Sequence, residues 1–131
     1  MPKRDFSHLI QLVAWVSIVV IAYATLTRVG FVYSIYLKLA PYLMHIGMSK
    51  YAAAEHFVAF AIFGALFSVA YPNHVVTVFC FVFGMAIALE LAQTLTPDRH
   101  GTVIDALQKI SGGAFGILVV TFARKLFEEK A

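Results

Sequence analysis

Residues 75–94 read VVTVFCFVFGMAIALELAQT, twenty residues with one charged side chain, Glu90. At 1.5 Å per residue, a helix of this length covers about 30 Å, the thickness of a bilayer's hydrocarbon core. Pro97 marks its stop. Working outward, three more stretches meet the same requirement. One covers residues 9–27, behind the basic start Lys3-Arg4. Another covers 53–71 and ends at Pro72-Asn73. The last covers 103–122 and is followed by Arg124-Lys125. The expected fold is all-α: a polytopic transmembrane bundle of about four spans, one domain over residues 1–131.

Composition points the same way. Hydrophobic residues make up 61% and charged residues 13%, against about a quarter charged in soluble domains. Mean hydropathy is +0.84. A net charge of +3 suits contact with anionic headgroups and is too small and scattered for nucleic acid. Cys80 is alone, so it closes no internal disulfide. The histidines at 8, 45, 56, 74 and 100 are dispersed, so neither metal nor cofactor is expected.

Two segments need separate readings. Between the first and second spans lies the connector 28–52, whose piece FVYSIYLKLA (31–40) is apolar but short and is broken by Lys38 and Pro41. Segments of that length lie in the interface or re-enter more often than they span. Tyr33, Tyr36, Tyr42 and Tyr51 fit an interfacial belt. The first span carries Ala22-Tyr23-Ala24, a small-x-small pattern that fits signal cleavage. Its apolar run is longer than a signal sequence normally has, which favours a retained span.

An even number of spans puts both termini on one side. Lys3, Arg4, Arg124, Lys125 and Lys130 lie there, against Arg28, Lys38, Lys50 and Arg99 opposite. The positive-inside rule then favours cytoplasmic termini, by a narrow margin.

Charges inside a span cost several kcal/mol and need a reason. Glu90 and Gln93 are three apart and share a helix face. Glu90 lies about 9 Å inside the helix end at Thr96. Asp105 and Lys109 stand four apart at the start of the last span, acid before base, the favourable order for a helical ion pair. Arg99 sits in the connector between them, His56 opens the second span and Arg28 closes the first. Span order alone brings all of these to the rim opposite the termini, the outer rim if the termini are cytoplasmic. On the last helix, Asp105, Lys109, Gly112 and Gly116 fall within about 60° of one another. Gly112 and Gly116 form a small-xxx-small pair that admits a close neighbour, for which the third span is the expected candidate. Close packing below and charge above would make a polar notch.

The run ELAQTLTPDRHGTVIDALQKISGGAFG, residues 90–116, resembles the VanZ-like family of small membrane proteins. Glu90, Gln93, Pro97, Arg99, Thr102, Asp105, Gly112 and Gly116 match its pattern in order and spacing. HFVAFAIFG, from His56, is similar to another family helix. There are two departures. Lys109 stands where the family has Asn, and Ala52 and Ala53 stand where it has Asp-Lys. An amide role at 109 does not carry over. The family is named for a protein associated with teicoplanin (glycopeptide) resistance, so the resemblance implies the cell envelope but no reaction.

Several roles stay open for these residues. Glu90 is either an ion-pair partner of Arg99 or Lys109, or a low-dielectric carboxylate that exchanges a proton. Asp105 caps its helix or belongs to a site. Arg99 anchors to headgroups or grips a phosphate or carboxylate. His56 is an interfacial residue or a base, and Lys109 neutralises Asp105 or Glu90. Phe57, Phe60, Phe63 and Phe67 face lipid or fill the bundle.

Three functions follow. In the first, the notch binds, or binds and modifies, an envelope lipid or lipid-linked precursor. No nucleophile or metal motif accompanies the carboxylates, so no enzyme class is assigned. In the second, the chain is an accessory subunit among other membrane proteins and the cluster is structural. The third is a proton-coupled transporter, which the position of the polar groups at one rim disfavours, since transport sites lie near the midplane.

Overall fold

The computed structural model describes residues 3–26, 38, 48–96 and 101–129. These residues form four long helices: α1 (Lys3–Leu26), α2 (Met48–Ala70), α3 (Val75–Leu95) and α4 (Val103–Glu128). Each is long and apolar enough to cross a membrane, over Phe6–Leu26, Ala53–Ala70, Val75–Leu95 and Val103–Glu128. The four-span expectation therefore holds, while the interfacial piece 31–40, Lys38 apart, lies outside the described residues. α4 runs past the expected end at 122. Arg124 and Lys125 belong to its last turns, where cations suit the helix dipole.

Local chemistry sets the helix ends. α2 stops before Pro72, because the residue preceding a proline is steered away from the helical region. Its last carbonyls have no intrahelical partner. Arg124 supplies one, donating Nη2 to the Ser68 carbonyl and Nη1 to the Pro72 carbonyl, each at 2.9 Å. α4 begins at Thr102, whose extended backbone and hydroxyl make it the N-cap.

Packing is uneven between the two halves of the bundle. Toward the termini, an aromatic cluster fills the interior. Phe67 lies 5.0 Å from both Phe63 and Phe81, and 5.7 Å from Trp15, between ring centroids. Trp15 Nε1 donates to the Tyr71 hydroxyl at 2.8 Å. Phe60, Phe63 and Phe67 are buried, so the α2 phenylalanines serve mainly as bundle filler. Around this core, exposed residues such as Leu12, Val19, Val76, Leu118 and Phe122 present an apolar surface, as expected where lipid is the solvent.

The tightest contact joins α2 to α4. A Cβ placed on Gly112 would strike the Phe57 carbonyl, and one on Gly116 the Ala61 carbonyl. Both pairs are 55 positions apart, so the two helices run side by side in one direction, as alternate spans must. Gly64 completes the seam from α2, lying under the backbone of Gly113. This corrects the expectation that Gly112 and Gly116 receive the third span. They receive the second, and it is Gly113 that meets α3, at Val82. A glycine pair is needed here because the backbones themselves touch.

Gly84 is the control position, since a Cβ there meets nothing within 4 Å. Gly116→Val should therefore lower the melting temperature of the detergent-solubilised protein markedly, overpacking costing about 1–3 kcal/mol. Gly84→Ala should leave it unchanged or raise it, by up to about 1 kcal/mol of helix propensity. Equal melting of the two variants would contradict the seam.

Candidate functional site

α1 ends, α2 begins, α3 ends and α4 begins at the same rim, opposite the termini. Inside that rim lies Lys109, with no solvent exposure. A lysine is almost never fully buried unless paired. Its ammonium pairs with Glu90 Oε2 and also donates to Gln93 Oε1 at 3.0 Å. Glu90 Oε1 accepts the backbone N–H of Thr102 at 2.6 Å. Gln93 in turn donates Nε2 to the Thr25 carbonyl at 2.9 Å. Glu90 and Gln93 are themselves buried, at 7% and 5% exposure. One network thus ties α3 to α4 by three hydrogen bonds, counting the Thr102 N–H at the α4 N-cap, and to α1 by one.

A second group sits nearer the surface. The Thr102 hydroxyl accepts from the Asp105 N–H at 3.1 Å and donates to Asp105 Oδ2 at 2.7 Å, a reciprocal cap at the first turn of α4. Asp105 Oδ1 lies 3.5 Å from His56 Nδ1 on α2. That separation is too long for a good hydrogen bond, and Nδ1, although buried, has no hydrogen-bond partner. Both side chains remain partly exposed, at 22% for His56 and 26% for Asp105. One turn inside Asp105, the buried Oε1 of Gln108 also has no hydrogen-bond partner.

The six expected site residues thus separate. Glu90, Gln93 and Lys109 form the buried network, while His56 and Asp105 form a pair at the rim. Arg99 lies outside the described residues, as does Arg28. The ion-pair alternatives resolve in favour of Glu90–Lys109, so Asp105 and Lys109 do not pair despite their favourable spacing. Asp105 does serve α4's first turn, but as the partner of the Thr102 cap. The sequence reading missed three participants. Thr25 acts through its carbonyl, which every residue type possesses. Gln108 resembles a surface amide. Gly101 matters because a Cβ there would press on the Glu90 carbonyl oxygen and the Thr94 methyl.

Between α3 and α4, beside the network, runs a groove of about 240 Å³. Ile87, Leu91, Val103 and Ala106 give it apolar walls, and Glu90 and Thr102 lie at its polar side. Pockets that enclose a drug-sized ligand run to about 300–1,000 Å³. This one suits part of a ligand, such as a single chain. Among the described residues, no group of three or more His, Cys, Asp or Glu side chains could hold a metal.

Four apolar helices closed by an internal polar network define an integral membrane protein of the small polytopic class. The VanZ/LLP1 family model matches residues 3–124, and the chain belongs to that family. The match spans the first three helices and most of α4, well beyond the last third of the chain that carried the clear resemblance. No curated protein and no solved structure matches the chain.

Lys109→Met should destabilise the protein by about 3–5 kcal/mol, because it leaves the Glu90 carboxylate buried and unpaired. Adding Glu90→Gln should recover much of that loss. The check is a double-mutant cycle on thermal unfolding in detergent. Additive single effects would show that the pair is not coupled.

Proposed function

We propose that this protein binds an amphiphile of the bacterial cell envelope, a lipid or lipid-linked precursor, at the rim opposite its termini. One observation carries the reading: an apolar groove between α3 and α4 runs up to polar groups of the same rim, Glu90 and Thr102. An acyl chain fits the walls and a headgroup fits the rim, which is the polarity order of a lipid in its leaflet. The buried network then acts as the frame. With Glu90 tied to Lys109 and to the Thr102 N–H, its carboxylate holds the α4 start at the polar side of the groove. His56 and Asp105 are the accessible groups, and Arg99 is proposed as an additional grip for a phosphate or carboxylate.

The termini are proposed to face the cytoplasm, with the rim on the outer face of the inner membrane. Envelope precursors are displayed at that face, and a role there is consistent with the glycopeptide resistance for which the family is named. A C-terminal alkaline phosphatase fusion should be inactive and a C-terminal fluorescent-protein fusion bright. The reverse pattern would turn the rim inward.

Filling the groove tests binding directly. Ala106→Leu adds bulk at its wall without touching the polar network. Native mass spectrometry of the gently extracted protein should show a lipid retained by the wild type and reduced severalfold in this variant at equal melting temperature. If both retain the same bulk phospholipids in the same amounts, the accessory-subunit reading replaces this one. A protein that only fills a place in an assembly needs no such groove.

A further inference from the structure

Several of the described polar groups around the rim are engaged with one another. Lys109 serves Glu90 and Gln93, Gln93 serves Thr25, and the Thr102 hydroxyl serves Asp105. Three atoms on the α2–α4 seam depart from this pattern. Gln108 Oε1 and His56 Nδ1 are buried without a hydrogen-bond partner. Asp105 Oδ1 has only the long 3.5 Å approach to that same imidazole.

These atoms share one place in the fold. Asp105, Gln108, Gly112 and Gly116 follow one another at three- and four-residue steps, so they occupy one stripe of α4. Gly112 and Gly116 on that stripe touch the backbone of α2. Gln108 therefore lies on the seam one turn above Gly112, and Asp105 one turn higher, where His56 of α2 meets it. Backbone contact between the helices fixes the spacing of the groups.

The chemistry of the set is lopsided. A carboxylate oxygen and an amide oxygen both accept hydrogen bonds and cannot satisfy one another. Burying a polar atom without a partner, as at Gln108 Oε1, costs about 1–3 kcal/mol, while the Asp105 carboxylate beside it is partly exposed at the rim. Among the described residues, the Lys109 ammonium is already paired with Glu90, and the only group near Asp105 Oδ1 is the His56 imidazole at 3.5 Å. A partner that serves both oxygens donates more than one hydrogen bond, and a positive charge on it complements the carboxylate.

We propose that the α2–α4 seam is a headgroup subsite for a primary ammonium carried by a membrane lipid. Its N–H groups are accepted by Asp105 Oδ1 and Gln108 Oε1 beside the His56 imidazole. A primary ammonium has three donors on one small cation, matching two oxygens and leaving one N–H for water at the rim. The subsite rests on the amphiphile reading given above and narrows its ligand to amine-headed lipids. The Thr102 hydroxyl, which bonds Asp105 while Thr102 lines the α3–α4 groove, connects the two regions.

The test is lipid competition read by native mass spectrometry on the full-length protein in detergent. The probes are phosphatidylethanolamine, phosphatidylcholine and phosphatidylglycerol with identical acyl chains, in equal amounts. Phosphatidylcholine keeps the positive charge but has no N–H donors, so it separates hydrogen bonding from charge. The wild type should retain phosphatidylethanolamine at least fivefold over either competitor. Gln108→Leu should bring that ratio close to one while the melting temperature stays level or rises, because a buried unpartnered amide has been removed. Asp105→Asn should reduce the ratio as well. If that variant folds poorly, Gln108→Leu, which leaves the α4 cap intact, decides alone.

Equal retention of the three lipids, a preference for the glycerol headgroup, or a preference unchanged by Gln108→Leu would each overturn the subsite. The broader lipid-binding reading would still stand if Ala106→Leu reduced total retention, so the two failures are distinguishable. Chain-free glycerophosphoethanolamine forms the last arm. Binding as strong as that of the intact lipid would assign the ammonium to a soluble ligand and overturn the lipid part of the proposal.

Discussion

The ion pair between Lys109 and Glu90 is the constraint on which the rest of the structure depends. Neither charge is tolerable alone in surroundings without water. Placed on separate helices, the two force α3 and α4 into one relative position. Gln93, three residues from Glu90 on the same face, accepts a second hydrogen bond from the ammonium and extends the constraint to α1 through the Thr25 carbonyl. The pair adds little favourable energy of its own, since desolvation offsets most of the attraction. What it does is penalise every arrangement that separates its members. Apolar packing holds the helices together, and the ion pair selects which packing.

A second regularity concerns backbone groups at helix ends. In water these are solvated, but in an apolar medium each needs a partner from the protein. Gln93 answers a carbonyl in the last turn of α1, and Arg124 answers two carbonyls at the end of α2. The Thr102 hydroxyl answers an N–H in the first turn of α4, while Glu90 holds the Thr102 N–H itself. Much of a small polar inventory is therefore structural, including residues that looked chemical by type. Among the described polar groups at the rim, His56, Asp105 and Gln108 are left in part outside this pattern. They are the groups whose arrangement backbone satisfaction does not explain.

The fold was largely legible because its signal is long and redundant. A twenty-residue apolar run with one charge has few interpretations, and four such runs fix a bundle. The convergence of His56, Glu90 and Asp105 on one rim was also legible, since alternating span direction requires it. Which charges pair was not. Helical spacing favoured Asp105 with Lys109, but spacing describes only one helix, and the winning partner, Glu90, comes from another. The same limit misassigned the neighbour of Gly112 and Gly116. A small-residue pair announces that something packs closely, and only the three-dimensional arrangement shows that it is α2. Thr25 left no trace in the sequence because its contribution is a main-chain oxygen.

Lys109 also bears on how this member of the family differs from the family pattern, which has Asn at that position. An asparagine can hydrogen-bond a carboxylate but cannot neutralise it. With lysine there, the Glu90 charge is balanced inside the bundle, and both of its oxygens are already engaged by Lys109 and the Thr102 N–H. A proton carrier needs a carboxylate that can open toward each side in turn, and this one is enclosed at one rim by three helices. The arrangement therefore argues against proton-coupled transport and for a fixed frame. On the proposed binding reading, such a frame leaves specificity to the groups at its edge: the α2–α4 seam with His56, Asp105 and Gln108, and the groove between α3 and α4 at the same rim.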